Sequence, residues 1–444
     1  MRCLLFNSPI YRERSEAKEE YLPPLGLGYI ATHLEKSGVN VEIVDCVKER
    51  LGIDEIFKLL EQKMPDFIGM NIFTQNFETV KEIAERCPIK TVIIIGGQAV
   101  KCIYEEILQW NVSNQLVIVI GEGELILPAL INGLCSEPTF IDIGQKEVYK
   151  VDKNSRYFPK DLGVVHLNRK LLKEDIITNH YGQKEATIIS SRGCTYNCGF
   201  CGGAHNLNQD VTIRYRSTVD IEYEIQDIIS ANPNITSIRV LDDLFLRDNE
   251  SINNAVVIFE RFNNLSWRGM AHVLTFVKNL GFLPLLKQSG CREIFIGIES
   301  GSECIRKKIN KPGTVEQVIG VVSAILECGI DVKGYFMFGF PSETTTEADA
   351  TYLLASRLKE ISAKTIGNFR ASVFQFRPYH GTQLYNEIVQ SGREIVMISS
   401  NTALNILDGR SQFNFQSGNY SNIDDDILNE YILKTQNLSE VQNV

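Results

Sequence analysis

The strongest constraint on the fold is a rhythm that occurs twice: short β-branched apolar runs alternate with stretches whose apolar residues recur at helical spacing. In the first third of the chain the runs are Arg2–Phe6, Val41–Val44, Asp66–Asn71, Thr91–Ile95 and Leu116–Ile120, bounded by turn residues, and they read as buried parallel strands. Helical patterns at Gly26–Lys36, Asp54–Lys63, Phe77–Arg86 and Ile103–Trp110 lie between them. Strands joined in this way predict a doubly wound, Rossmann-like open sheet with helices on both faces. Ligands of such sheets sit beyond the carboxyl ends of the strands. There the sequence places Gly96-Gly97 and Gly121-Glu122-Gly123-Glu124, and glycine lets backbone approach a ligand closely.

Residues 136–184 have no long period; Pro138, Asn154, Pro159 and Gly163 mark a connecting segment with room for one small hairpin. The rhythm then resumes. Strands are expected at Ala186–Ser190, Ser237–Leu241, Met270–Thr275, Glu293–Ile298, Val332–Phe338 and Ser372–Phe376. Helices are expected at Ile221–Ser230, Ile252–Phe262, Leu283–Gln288, Val315–Glu327 and Ala348–Glu360. Six βα units are too few to close an eight-stranded barrel and predict an open, partial TIM-like (βα)6 barrel with its catalytic residues at the carboxyl ends of the strands. Beyond Gly381 the pattern fades into Asn, Ser and Asp, as in a small cap or tail. The division expected is 1–135, a linker at 136–184, a barrel at 185–380 and a short C-terminal segment at 381–444.

Charge and cysteine content narrow the function. A formal charge of −10 opposes a nucleic-acid or anionic-membrane binder driven by bulk electrostatics. No run approaches the ~20 apolar residues of a spanning helix. Met1–Ile10 is too short for a signal peptide, and Arg12, Glu13 and Arg14 follow at once, so a soluble cytoplasmic protein is expected. Eleven cysteines, an odd number without an export signal, do not suggest a disulfide framework. Eight are scattered; Cys291, Cys304 and Cys328 among them read as buried small apolar residues. The other three, Cys194, Cys198 and Cys201, fall together on the loop Ser190–Cys201, directly after the first barrel strand. Thiolates at C-x3-C-x2-C spacing can wrap one compact centre, and cysteine is the soft ligand of iron–sulfur clusters. A structural zinc ion needs four ligands, and His205 could be the fourth. A four-iron cube held by three cysteines would leave one iron for the amine and carboxylate of a small molecule.

The three cysteines after the first strand of a partial barrel, with Phe200 just before the last of them, resemble the radical S-adenosylmethionine (SAM) superfamily. Val240–Phe245, Gly297–Ser302, Asn310–Thr314, Gly339–Thr344 and Pro378–Thr382 resemble successive landmarks of the subgroup in which a cobalamin-binding domain comes first. Leu22–Ile30, Ile95–Gly97 and Gly121–Glu124 are similar to that first domain. The resemblance runs in order from the N-terminus to about residue 385. It implies that Cys194, Cys198 and Cys201 ligate a 4Fe-4S cluster whose fourth iron takes the methionine part of SAM. It also implies that Asp242, Asp243, Glu299 and Ser300 lie near SAM, with turn formation or helix capping as their structural alternative. Gly96, Gly97, Gly121, Glu122 and Gly123 would contact cobalamin. Arg214 and Arg216 would face the SAM carboxylate or solvent, and Pro378–Thr382 would form a turn.

The sequence also departs from the pattern. Many cobalamin domains carry Asp-x-His-x-x-Gly after the first strand, whereas Ser8–Arg12 has no histidine and His33 falls within a helix. A lower face without protein imidazole is therefore expected. Gln98 and Tyr196 stand where proline is common, and His272 where arginine is frequent. The implied activity is a cobalamin-dependent radical SAM methyltransferase acting on an unactivated carbon: the cluster reduces SAM, the 5′-deoxyadenosyl radical takes a substrate hydrogen, and methylcobalamin supplies the methyl group. The alternatives are a radical SAM cyclase, rearrangement or oxidation enzyme, and a non-catalytic metal-binding or redox-sensing module. The expected partners are a small-molecule or peptide substrate and an electron donor such as flavodoxin or ferredoxin, without nucleic acid or a membrane span.

Overall fold

The computed structural model describes residues 1–10, 21–398 and 416–439. Tyr11 and Arg12 of the loop after the first strand, and residues 399–415 and 440–444 of the C-terminal segment, lie outside them.

The first sheet contains β1 (Arg2–Asn7), β2 (Asn40–Asp45), β3 (Phe67–Asn71), β4 (Val92–Gly96), β5 (Gln115–Gly121), β6 (Ile141–Ile143) and β7 (Lys146–Val151). Their order is β2-β1-β3-β4-β5-β7-β6, parallel throughout except for the β6–β7 hairpin. The β-branched residues that announce these strands fill two separate cores, one on each face, as double winding requires. Because the chain steps from β1 outward to β2 and then back across to β3, the loops leaving β1 and β3 diverge and open a crevice. The hairpin comes from the segment expected to be a connector. Lys146–Val151 pairs with Leu116–Gly121 and buries Val148 completely. Interspersed lysine and glutamate hide this strand from a search for apolar runs.

The second sheet contains β8 (Ile176–Thr178) and β9 (Lys184–Ile188), after which a short antiparallel ribbon of β10 (Ser191–Arg192) and β11 (Arg214–Tyr215) stands apart. It continues with β12 (Ser237–Val240), β13 (Ser266–Ala271), β14 (Cys291–Glu299), β15 (Asp331–Phe338) and β16 (Phe369–Gln375). The order is β16-β15-β14-β13-β12-β9-β8. Six strands run parallel and β8 is the antiparallel edge, so the second sheet is the expected six-unit open barrel.

Two barrel strands differ from expectation. The strand expected at Met270–Thr275 begins four residues earlier and ends at Ala271, where Val273–Val277 turns helical with His272 as its N-cap. Its first four residues, Ser-Trp-Arg-Gly, do not look apolar because Arg268 is buried through ion pairs rather than hydrophobicity. The strand expected at Ser372–Phe376 spans Phe369–Gln375, with Arg370 paired to Glu293 in the same way. The C-terminal helix Asp425–Gln436 is a cap on the barrel: Leu428 and Tyr431 join its core.

All eleven cysteines are unbridged. Cys291 is buried as expected, but Cys328 is half-buried and Cys304, on the short helix Glu303–Lys308, is exposed. Among the described residues no helix is long and apolar enough to cross a membrane.

Candidate active site

The loop carrying the three cysteines leaves β9 at the barrel rim and is held by backbone bonds from several directions. Gly199 N–H donates to Ile309 O (2.8 Å), Leu384 N–H to Gly199 O (3.0 Å) and His205 N–H to Tyr196 O (2.8 Å). Phe200 packs against Phe340 with ring centroids 5.8 Å apart, and Tyr196 stacks on His272 at 4.1 Å. Burial raises the pKa of all three thiols, pushing Cys201 up to about 12, while the Lys311 ammonium works against the rise at Cys194 and Cys198. Such thiols ligate as thiolates, their protons released to solvent when a cationic centre binds. Among the described residues no three His, Cys, Asp or Glu side chains converge on a single ion, and His205 is exposed.

The four polar residues expected near SAM divide into two kinds. Asp242 is buried and clamps the start of the cysteine loop. It accepts from Ser190 N–H (2.7 Å), Ser190 Oγ–H and Ser191 Oγ–H (2.6 Å). Burial raises its pKa, and the serine bonds oppose that rise. Ser300 is equally committed: its hydroxyl pairs with Thr351 Oγ1 (3.0 Å) and accepts from Ser302 N–H (3.1 Å). Asp243 and Glu299 are the rim carboxylates. Asp243 is exposed beside the cysteine loop. Glu299 ends β14 with a φ of +64°, a strained conformation for a residue with a side chain, and pairs with Lys311 Nζ at 3.1 Å. Gly297 makes room for that pair, since a side chain there would meet both partners.

The crevice beyond β1, β3, β4 and β5 is a cavity of about 700 Å³ between the two sheets. Gly96, Gly97, Gly121, Glu122 and Gly123 all line it, as expected, together with Asn71, Thr74 and Gln98. Two of the glycines are irreplaceable on steric grounds. Gly97 has φ +120° and a Cβ there would lie 2.6 Å from Ile72 O; Gly121 has φ +106° and a Cβ would lie 2.2 Å from Val151 O. Buried acceptors without partners among the described residues, Gln75 Oε1 and Glu124 Oε2, belong to residues that line the same cavity. A large, flat, amide-fringed cofactor suits this combination of bare backbone and waiting acceptors, so the residues present fit cobalamin.

Two arginines have different partners from those expected. Arg214 pairs with Glu122 and donates to Pro159 O (2.7 Å), and Arg216 pairs with Glu224 and donates to Ile189 O (3.1 Å). Both are committed to protein contacts, where the expectation was the SAM carboxylate or solvent. Sequence reasoning missed His380, which reaches the cavity from the barrel side and shares Thr74 Oγ1 through Nδ1 (2.9 Å) and its backbone N–H (3.1 Å). Burial lowers its pKa to about 4, so it is neutral at ordinary pH. Its position within Pro378–Thr382, a segment that reads as a turn, gave no sign of this. His33 is half-buried in the helix Leu25–Lys36 and is not among the cavity residues.

Comparison with known proteins agrees with this geometry. Residues 18–131 match the B12 binding domain and residues 188–355 match the Radical SAM superfamily. An uncharacterized methyltransferase of Pyrococcus horikoshii is 28% identical over 386 residues, covering 84% of this chain and 80% of that protein. The cytidylyl-2-hydroxyethylphosphonate methyltransferase of Streptomyces wedmorensis is 25% identical over 433 residues, with coverages of 83% and 78%. An anaerobic magnesium-protoporphyrin IX monomethyl ester cyclase of Rubrivivax gelatinosus is 23% identical over 378 residues, with coverages of 79% and 65%.

Among solved structures, the radical SAM methyltransferase TsrM from Kitasatospora setae superposes with a TM-score of 0.68 at 16% identity, over 99% of this chain and 89% of that one. The cobalamin-dependent SAM radical enzyme OxsB superposes with a TM-score of 0.61 at 18% identity; the match covers 89% of this chain but only 62% of OxsB. These two likenesses speak to the fold alone. The two family matches follow one another as the two sheets do, and the chain belongs to the radical SAM superfamily, in the subgroup with an N-terminal cobalamin-binding domain, as an enzyme whose cofactors are a 4Fe-4S cluster, SAM and cobalamin.

Proposed function

We propose that this enzyme transfers a methyl group to an unactivated carbon of a small-molecule or peptide substrate held between the cysteine loop and the first-domain crevice. The observation that carries the reading is a shared wall. Gly202, next to Cys201, packs so closely on Gln98, next to Gly97, that a Cβ on Gly202 would lie 2.5 Å from Gln98 Nε2. A radical generator and a methyl carrier must both reach one substrate atom, and a wall common to the cysteine loop and the crevice supports that reading.

In this reading Cys194, Cys198 and Cys201 hold the cluster, and Asp243 and the Glu299–Lys311 pair orient the amine and carboxylate of SAM. Asp242 and Ser300 position these groups from behind. Gly96, Gly97, Gly121, Glu122 and Gly123 bed the corrin. When bound, the cofactors supply one-electron cleavage of SAM and the methyl group; the chain supplies orientation, and the cavity's apolar lining, Leu27, Ile30, Leu127 and Leu241 among it, excludes water. A flavodoxin or ferredoxin provides the electron.

Product analysis of the reduced, cobalamin-loaded enzyme with SAM tests this. S-adenosylhomocysteine formed alongside 5′-deoxyadenosine supports methyl transfer, whereas 5′-deoxyadenosine alone overturns it. Iron without cobalt in protein from cobalamin-supplemented cells overturns it too. The second reading, a radical cyclase, is favoured by the similarity to the anaerobic cyclase and predicts 5′-deoxyadenosine alone.

A further inference from the structure

We propose that Glu122, Glu124, Arg192 and Arg214 form an electrostatic strap that positions the cysteine loop from the wall of the cobalamin crevice, so that SAM affinity responds to cobalamin binding. The inference rests on the reading of Cys194 and its neighbours as the cluster loop and of the crevice as the cobalamin site.

The strap begins in the register of the small ribbon, which sets Arg192 directly opposite Arg214. Like charges in that position repel unless an anion lies between them. Glu122 is that anion. Its Oε2 takes Arg192 Nη1 at 2.9 Å and Arg214 Nη1 at 3.0 Å, and its Oε1 takes Arg214 Nη2. Arg192 Nη2 donates in addition to Glu124 Oε1 at 2.7 Å. Aromatic faces flank both guanidinium groups, Phe158 at 4.1 Å from Arg214 and Tyr29 at 5.6 Å from Arg192.

Each end of the strap is attached to one site. Arg192 lies two residues before Cys194, with Gly193 between them. Glu122 and Glu124 line the crevice on the loop that follows β5, whose shape Gly121 fixes. Glu124 lines the crevice, and its buried Oε2 has no hydrogen-bond partner among the described residues, so the carboxylate that grips Arg192 through one oxygen is left unsatisfied at the other. The amide N–H groups at the edge of cobalamin are donors of the right kind. Breaking a buried ion pair leaves an uncompensated charge, so the two carboxylates and two arginines shift together rather than separately. A ligand that draws on Glu124 therefore acts on Arg192 and, through it, on the loop bearing Cys194.

The test is SAM affinity of the cluster-loaded enzyme, measured by equilibrium dialysis with and without hydroxocobalamin, in wild type, Glu122→Gln and Arg192→Lys. Iron per chain and the visible spectrum of bound cobalamin serve as controls. Wild type is expected to change its SAM affinity by about 5-fold or more on loading with cobalamin, the lower range of ordinary coupling between sites. The factor falls toward one in Glu122→Gln and to an intermediate value in Arg192→Lys, which keeps the charge but loses the two-armed contact. Equal SAM affinity with and without bound cobalamin in wild type overturns the strap, as does full coupling in Glu122→Gln with normal iron content. If Glu122→Gln fails to hold iron, Arg192→Lys decides on the same criterion. A wild-type chain that binds no hydroxocobalamin overturns the functional reading and the strap with it; a bound cofactor with no effect on SAM overturns the strap alone.

Discussion

Glu293 and Glu343 are both fully buried in the barrel, yet they sit at opposite ends of it and titrate in opposite directions. Glu293, near the start of β14, is surrounded by cations. Burial alone would raise its pKa, but Arg370 and Arg268 overcome that and hold it at about 2. Glu343, just past β15 at the rim, has only two backbone donors, Gly339 N–H and Phe340 N–H (3.2 Å), and its Oε1 has no partner among the described residues. Burial pushes it up to about 7. The difference lies in the company each carboxylate keeps. The floor is a closed charge network, Glu185–Arg268–Glu293–Arg370, in which each carboxylate meets a guanidinium. The rim leaves polar groups under-satisfied and its backbone strained at Glu299. A barrel organised in this way takes its stability from the floor and its chemistry from the rim.

The separation can be broken most directly at the rim. Cys198→Ala is expected to abolish the iron–sulfur absorption of anaerobically prepared protein while leaving the thermal unfolding midpoint of the apo chain nearly unchanged. Retained iron absorption would remove the cysteine loop from the site. The converse variant is Glu185→Gln on the floor, which leaves Arg268 without the partner that meets its Nε and Nη2. Losing one member of a buried pair costs about 3–5 kcal/mol. Denaturant unfolding should show that loss, with iron per chain unchanged in the folded protein; a stability cost below ~1 kcal/mol would mean that the floor is not the anchor.

What the sequence disclosed follows the same division. The first sheet and its glycines were legible because β1 to β5 are apolar runs ending in turn residues. The cysteine loop was legible because three thiols at close spacing have few other uses. The barrel floor was not, because Arg268 and Arg370 make their strands look polar, and their partners, Glu185 and Glu293, lie up to 83 residues away in the chain. Asp242 and Asp243 are adjacent in sequence and similar in composition, yet only the sheet shows that one clamps Ser190 and Ser191 while the other is left at the rim. Glu122 is the reverse case: a residue chosen for a ligand contact also ties two units of the chain together, a second role that no local pattern encodes.

The comparison sharpens with pH. Because the folded-state pKa of Glu343 lies above its usual value of 4.5, the stability associated with its neutral form is complete below pH 4.5 and is lost as pH rises toward about 7. Glu343→Gln cannot ionise. It should therefore be more stable than wild type at pH 8, by roughly 1–3 kcal/mol at about 1.4 kcal/mol per pKa unit, with the difference vanishing near pH 4. A wild type whose stability does not fall between pH 5 and 8 relative to Glu343→Gln would show that the rim carboxylate is already satisfied.

The smallest effect belongs to His180, which closes the floor from outside, with Nδ1 3.3 Å from Arg268 Nη1 and Nε2 3.9 Å from Glu293. Burial and the Arg370, Arg268 and Lys333 charges lower its pKa to about 4, and Glu293 opposes them only in part. The unfolded chain takes up this proton near pH 6.5 and the folded chain only near 4, so the stability it contributes is present above pH 6.5 and lost as pH falls between those values. Its side chain is 38% exposed, and solvent screening holds the contribution to well under ~1 kcal/mol. His180→Asn should flatten the acid limb of the stability curve between pH 6.5 and 4 by that amount. The steeper loss below pH 4.5 should remain, because it comes from protonating Glu293 as pH falls toward about 2. If His180→Asn also removed that lower limb, the histidine would be part of the charge network itself, and the floor would extend to the turn between β8 and β9.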